Sequence, residues 1–177
     1  MNVSPIQLRF YNLSRVCVVP RERAPLAPIA PGPVHTDWNG ITMNSEVEFG
    51  WADGQGANPS AFVMRLHLRV PNDGEKKAPY DIDLETVGYF DLIAEYPAHE
   101  REDIARVNGA SLLFGVLREV LCSLSARFPQ GLIVLPGVNF LDLKSNALPE
   151  SGSTQNISTS VDADRRAASK EPRDKAH

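Results

Sequence analysis

Apolar and polar residues alternate along several segments of the chain, and a period of two is typical of strands with one buried face. In residues 41–51 (ITMNSEVEFGW) and 61–70 (AFVMRLHLRV) nearly every second residue is apolar. Residues 80–93 (YDIDLETVGYFDLI) begin in the same way, and we expect their phase to shift near Gly88. Residues 6–19 (IQLRFYNLSRVCVV) are rich in β-branched and aromatic types but change phase midway, which indicates a bulge. The pattern predicts four strands.

The connections between these strands differ in kind. Short, polar, turn-rich segments join the last three strands, which predicts an antiparallel meander. The first connection carries five prolines between Pro20 and Pro33. Since proline cannot donate to a sheet ladder, we expect a long crossing over the sheet rather than a hairpin. Loops of this length in a compact domain are usually functional, and Leu26, Ile29 and Trp38 give this one an apolar character.

A helical period follows the strands. AHEREDIARV predicts a short helix, and the pair Asn108-Gly109 predicts a break before a long helix that ends at Pro129. Further apolar residues widen the apolar face beyond what one sheet requires. The main apolar arc, about 100° wide, comprises Leu113, Leu117, Val120, Leu121, Leu124 and Phe128.

These elements predict an α+β fold, with a four-stranded antiparallel sheet, a Pro-rich crossover after the first strand, and a short and a long helix. Four strands and one helix cannot cover all of this apolar surface, and open sheet edges are normally blocked or paired. We therefore expect an oligomer. We assign residues 1–143 to this domain and residues 144–177, which are polar and lack aromatic side chains, to a disordered tail.

Composition removes several classes of function. Eighteen basic and 22 acidic residues give a net charge of −4. The sequence has no cluster of basic residues, so we do not expect a nucleic-acid partner. We see no signal peptide and no uncharged run of the ~18 apolar residues that a membrane span needs, so we expect a cytoplasmic protein. The spacing of the histidines and cysteines predicts no metal site, cofactor or catalytic group, and hence no enzyme.

Several short motifs, in this order, resemble the SecB family of bacterial protein-export chaperones. They extend from about Arg9 to Phe140 and include a Pro-rich crossover that ends in Asp37-Trp38. The others are RFYNLSRVCVVP, VGYF, LLFGVLRE, Phe-Pro-Gln at 128–130 and Val-Asn-Phe at 138–140.

The resemblance implies an ATP-independent holdase that binds unfolded preproteins in apolar grooves. It also implies a homotetramer, built as a dimer of dimers, with the long helices between two eight-stranded sheets. The residues assigned to client binding are Leu26, Ile29, Trp38, Phe49, Trp51 and Phe114. The residues assigned to the oligomer interface are Leu113, Leu117, Leu121 and Leu124.

SecB delivers its clients to the ATPase SecA, which docks on an acidic sheet face. Ser14 and Val18 replace two acidic positions of the family, which argues against SecA docking. Asp81, Asp83 and Glu85, spaced by two, either form a docking face for a basic partner or are the solvated side of a strand. Divergent SecB-like proteins also guard the antitoxin of a toxin–antitoxin pair, and that role stays open.

Two other classes of function remain. A sheet curved around one long helix also describes hot-dog acyl-binding proteins and enzymes, but those folds bring the helix in early, whereas here it follows all four strands. A plain oligomeric scaffold is the third class, and it predicts no binding of unfolded proteins.

Overall fold

The computed structural model describes residues 4–21, 37–52, 59–93 and 97–144. Its elements are four strands, a long helix and a short 3-10 turn. Their bounds are β1 (Ile6–Pro20), β2 (Asn44–Trp51), β3 (Ala61–Val70), β4 (Tyr80–Leu92), α1 (Ala98–Ser125) and the turn Leu141–Leu143. Leu26, Ile29 and nearly all of the predicted tail lie outside the described residues, so those predictions are not tested.

The four strands form one antiparallel sheet in the order β1-β4-β3-β2. The last three strands are a meander, as predicted, and β1 and β2 occupy opposite edges of the sheet, so they do not form a hairpin. α1 follows the sheet and packs on one face of it, against β4, β1 and β3. The predicted α+β class, an antiparallel sheet followed by a long helix, is confirmed, and so is the order that separates this chain from hot-dog folds.

The predicted break between a short and a long helix is wrong, because α1 runs without interruption for 28 residues. Gly109 lies inside it, where the helix approaches β3. A Cβ at this position would stand 3.0 Å from the Met64 methyl carbon and 3.1 Å from the Phe62 ring. The glycine therefore permits close packing of the helix on the sheet rather than ending the helix.

Gly88 serves the same purpose on the sheet. A Cβ there would lie 2.6 Å from Cδ2 of Leu113 and 2.7 Å from the ring of Phe90. The predicted phase shift near Gly88 is also wrong, since alternation continues from Tyr80 to Leu92 with every second residue buried. β4 is an interior strand with α1 on one face, and its register with β3 is constant from Ile82 to Asp91.

The residues after α1 are fixed by buried hydrogen bonds. The hydroxyl of Tyr80, which has no exposed surface, donates to the Gly131 carbonyl at 2.5 Å. The Ile133 amide donates to the hydroxyl of Ser125 at 3.1 Å. Ser125 itself is fully buried. From Gly131 to Phe140 the chain has no regular secondary structure and packs its alternate apolar side chains into the core.

By length and composition, His99–Ser125 is a helix that could cross a membrane. In the fold, however, its sheet-facing residues Leu113, Leu117 and Leu121 are fully buried in the protein core. Core helices of this kind pass the same hydropathy test. Packing on the sheet accounts for the apolar residues of that face, and 33% of the most apolar window of the helix is buried.

Candidate functional site

Three apolar side chains of β1 lie on the helix-facing side of the sheet and remain exposed. Their partners on β4 are buried residues of that side, and residues directly opposite each other in an antiparallel pair share a face. The exposed fractions of Tyr11, Leu13 and Val16 are 42%, 40% and 45%. α1 thus leaves this part of the sheet uncovered. We call these three residues the β1 patch.

Two bulges, at Arg9 and Ser14, set the phase of β1. Neither residue has a partner in the ladder with β4, and their side chains bind carboxylates on the outer face of the sheet, at Asp91 and Glu85 respectively. Each bulge adds one residue, so the strand that follows returns its apolar side chains to the helix-facing side. The phase change predicted for β1 is confirmed and occurs twice.

A second apolar cluster lies at the opposite edge of the sheet. The rings of Phe49 and Trp51 on β2 are 5.0 Å apart in an edge-to-face arrangement, and Phe49 is 5.4 Å from Phe62. The guanidinium of Arg106, on α1, lies 4.6 Å from the centre of the Phe49 ring. Phe49 and Trp51 are only half-buried. The structure thus brings together two of the residues assigned to client binding. We call Phe49, Trp51 and Phe62 the β2 cluster.

The other described client-binding candidates lie elsewhere. The indole of Trp38 donates a hydrogen bond to the Val134 carbonyl at 2.8 Å, so it ties the end of the crossover to the segment after α1. Phe114 is 6% exposed and packs edge-to-face on Phe140, with ring centres 5.8 Å apart. Trp38 therefore has a structural contact of its own, and Phe114 is a core residue in the single chain.

The outer face of the sheet, opposite α1, carries the predicted acidic residues, and each of them has a cationic or hydroxyl partner. Asp81 accepts from Arg21 at 2.9 Å. Asp83 accepts from His67 at 2.7 Å and from Arg15 at 3.1 Å. Glu85 accepts from Ser14, and the Arg65 guanidinium lies 4.0 Å away. The three carboxylates share a face, as predicted, but that face is not a concentrated negative surface.

The partners also shift the acidity of two of these carboxyls. A hydrogen bond from Asn72 is the main cause that lowers the pKa of Asp81 below its ordinary value, and burial opposes it. For Asp83, burial raises the pKa, but hydrogen bonds from His67 and Arg15 together lower it below the ordinary value. Both carboxyls therefore stay charged to a lower pH than an ordinary aspartate does.

Positions 14 and 18, where the SecB family carries acidic residues, lie on different faces of the sheet. Ser14 is exposed on the outer face, where its hydroxyl binds Glu85. Val18 pairs with Ile82, a residue of the helix-facing side, and is half-buried against the core. A side chain at position 18 is therefore not available for docking on the outer face of this chain.

Three of the four leucines assigned to the oligomer interface are inside the protomer. Leu113, Leu117 and Leu121 have no exposed surface, because they pack on the sheet, and Leu124 is half-buried. Among the described large apolar side chains of α1, Leu112 is the most exposed, at 41%, and Val116, Val120 and Leu124 are half-buried. An assembly surface on this chain must therefore use other residues than these buried leucines.

Sequence reasoning missed the features that depend on strand register. The exposure of the β1 patch and the arginines that neutralise the acidic row both follow from the pairing of β1 with β4. So does the stacking of Phe10 on Tyr89 on the outer face, with ring centres 4.3 Å apart. The sequence signal for these features is the phase change in β1. It locates the exposed residues and the arginines only once the strand that pairs with β1 is known.

No family model and no curated protein matches this chain. Among solved structures, it is similar to the Mycobacterium tuberculosis Rv1957 SecB-like chaperone in complex with a ChAD peptide from the Rv1956 HigA1 antitoxin. That chain is 23% identical, with 76% of this chain and 91% of that chain covered and a TM-score of 0.42. A protein of unknown function from Streptococcus agalactiae is 12% identical, with 75% and 97% covered and a TM-score of 0.48.

Proposed function

We propose that this protein is an ATP-independent holdase chaperone that binds unfolded or non-native polypeptides on its apolar surfaces. The observation that carries the proposal is the apolar surface left uncovered by a fold that is otherwise well packed. Burial of apolar area is worth about 25 cal/mol per Å², so such surfaces hold chains that expose apolar side chains of their own. Large hydrophobic side chains that are 36–51% exposed are Phe10, Tyr11, Leu13, Val16, Val19, Ile93, Leu112, Val134 and Leu141.

The proposal includes self-association through β1. This strand is 15 residues long, and among the described strands it pairs on one side only. A second copy related by a two-fold axis would satisfy its free backbone groups and cover both β1 patches at once. The extended sheet would have eight strands. We propose that two such dimers form a homotetramer, which multiplies weak client sites through their high local concentration.

The ion pairs of the outer face favour one of two kinds of chaperone over the other. A receiver with a basic docking segment needs unpaired acids, and Asp81, Asp83 and Glu85 already have partners on this chain. This observation favours a chaperone that keeps a dedicated partner, such as the antitoxin of a toxin–antitoxin system, over one that delivers preproteins to SecA. Export through the Sec pathway remains the second candidate.

The test is light scattering from a chemically unfolded protein that is diluted into buffer, with and without this protein, in the absence of ATP. We expect suppressed aggregation at about one tetramer per client. Suppression for one partner only would identify a dedicated chaperone. If a folded sample suppresses nothing and binds no hydrophobic dye, the holdase proposal is wrong, and a plain oligomeric scaffold takes its place.

A further inference from the structure

β1 forms one edge of the sheet, and the residues that direct their backbone groups toward the open side of that edge can be derived. The Ile93 amide donates to the Pro5 carbonyl at 2.9 Å. At the other end of the strand, the Arg21 amide donates to the Pro79 carbonyl at 3.0 Å. Backbone direction alternates along an antiparallel strand, so the odd-numbered residues of β4 face β1. The residues of β1 opposite the even-numbered residues of β4, which therefore face the open edge, are Ile6, Leu8, Tyr11, Leu13, Val16, Val18 and Pro20.

The two bulges of β1 are fixed features of this edge. The side chains of both bulge residues, Arg9 and Ser14, bind carboxylates of β4. Between the bulges, the hydroxyl of the fully buried Thr86 donates to the Asn12 carbonyl at 3.0 Å. A bulge bends its strand and increases the twist at that point. A strand that pairs along the whole of β1 must therefore bend at the same two places.

A second copy of β1 meets this requirement when the two-fold axis passes beside Asn12. Tyr11 of one copy then faces Leu13 of the other, and the next pair of edge-facing residues is Leu8 with Val16. Between these two pairs each strand has two residues, and on each strand one of the two is a bulge residue. The extra residues therefore cancel, and both strands bend together.

The two neighbouring registers fit less well. With the axis at Tyr11 the bulges also meet, but the last four residues of β1 find no partner in the other β1. With the axis at Leu13 the whole strand pairs, but three residue pairs separate the bulges, so the two strands bend at different places. The register about Asn12 brings the bulges together and leaves only Val19 and Pro20 unpaired.

We propose that β1 pairs with β1 of a second copy in this one register, with Asn12 on the two-fold axis and the bulges of the two strands next to each other. This inference rests on the proposed function, because it specifies how two copies associate through β1. The register places the two β1 patches side by side on the helix-facing side of the joined sheet. A partner strand without two bulges at this spacing fits the edge poorly, so the spacing selects a second copy.

The native Cys17 can report the register, because it is exposed and its side chain lies on the outer face. In the proposed register it lies directly opposite Gln7 of the second copy. Both residues direct their backbone groups away from the new partner, and such pairs have Cα atoms about 4.5 Å apart. Disulfides join Cα atoms that are about 4.4–6.8 Å apart. Gln7→Cys should therefore link two copies through two equivalent disulfides when the full-length protein is treated with a mild oxidant.

Pro5→Cys and Phe10→Cys are the matched variants. Pro5 would face Cys17 if the axis lay one residue earlier, and Phe10 would face it if the axis lay one residue later. In the proposed register both positions are more than about 7 Å from Cys17, which is beyond the reach of a disulfide. We expect Gln7→Cys to cross-link at least about tenfold faster than either variant. Gln7→Cys combined with Cys17→Ser should not cross-link.

Mass spectrometry identifies the linked residues, because positions 7 and 17 fall in different tryptic peptides, 1–9 and 16–21. The inference is overturned if Pro5→Cys or Phe10→Cys cross-links in place of Gln7→Cys. It is also overturned if no variant cross-links although the protein sediments as a dimer or tetramer, and self-association then stands with another geometry. If the protein sediments as a monomer, the register and the proposed self-association fail together. Light scattering decides the holdase function separately.

Discussion

Self-association through β1 can be tested with two valines of the same strand. Val16 and Val19 are 45% and 49% exposed, but Val16 belongs to the β1 patch, whereas Val19 pairs with Asp81 on the outer face. Val16→Lys should dissociate the assembly, and Val19→Lys should leave it intact. Because the two residues have the same type and similar exposure, the cost to the protomer itself should be similar in both variants.

The magnitude follows from the exposed fraction of Val16. Complete burial of a valine side chain is worth roughly 1.5–3 kcal/mol, so covering its remaining 45% contributes about 1 kcal/mol in each copy. Two copies across a two-fold axis give about 2 kcal/mol, which is roughly a 30-fold change in the dissociation constant. Burial of two lysine ammonium groups adds to this loss.

The measurement is sedimentation velocity over a range of protein concentrations, with hydrogen–deuterium exchange of β1 as a second readout. In the parent protein the β1 amides should be protected, and in Val16→Lys they should exchange faster at the same concentration. The reasoning is refuted if both variants keep the parent mass, if both dissociate equally, or if the parent protein itself is a monomer.

Three further predictions concern the fold. Gly88→Ala should destabilise the protein by about 1–3 kcal/mol in urea unfolding, because its Cβ would stand 2.6 Å from a leucine carbon of α1. Gly50→Ala is the control, since there is open space around that position, and it should not destabilise the protein. Equal urea midpoints for the two variants would contradict the close packing at Gly88. Leu117→Ala, at a position with no exposed surface, should cost about 2–5 kcal/mol, and Leu112→Ala, at a 41% exposed position, under about 1 kcal/mol, as differential scanning calorimetry can show. The folded-state pKa of Asp83 is lowered, so its contribution to stability is fully present above the unfolded value of about 3.9 and is lost as pH falls below it. Urea midpoints from pH 6 to pH 3 should therefore fall less steeply in Asp83→Asn than in the parent, and parallel profiles would show that Asp83 is not the group responsible.

Much of the fold was available from residue patterns. Strict alternation predicted β3 with its observed bounds, Ala61–Val70, and the short polar turns predicted the meander. Two of the errors concern glycine, which a single sequence presents only as a residue that interrupts helices and strands. At Gly88 and Gly109 the missing side chain makes room for a neighbour across the contact between helix and sheet. That reason becomes visible only when the two elements are placed together.

The candidate surfaces were harder to predict, because exposure depends on what covers a residue. Val16 and Leu117 are both aliphatic residues in amphipathic elements, yet one is 45% exposed and the other has no exposed surface. The difference is that α1 covers β4 and only part of β1. Likewise, Asp83 appeared in the sequence as one of three spaced acids. Its partner Arg15 lies 68 residues away, and the pair is brought together only by the register of β1 against β4.

The bulges at Arg9 and Ser14 also bear on how the β1 edge is protected against aggregation. A long, flat, apolar edge is a template on which cross-β fibrils can grow, and β1 has both the length and the composition for this hazard. Bulges kink a strand and increase its local twist, so a regular ladder cannot continue along it without a partner that has matching irregularities. A second copy of this chain has such irregularities, and an arbitrary misfolded segment does not. The bulges would then protect the β1 edge, because only a strand with matching irregularities can pair with it.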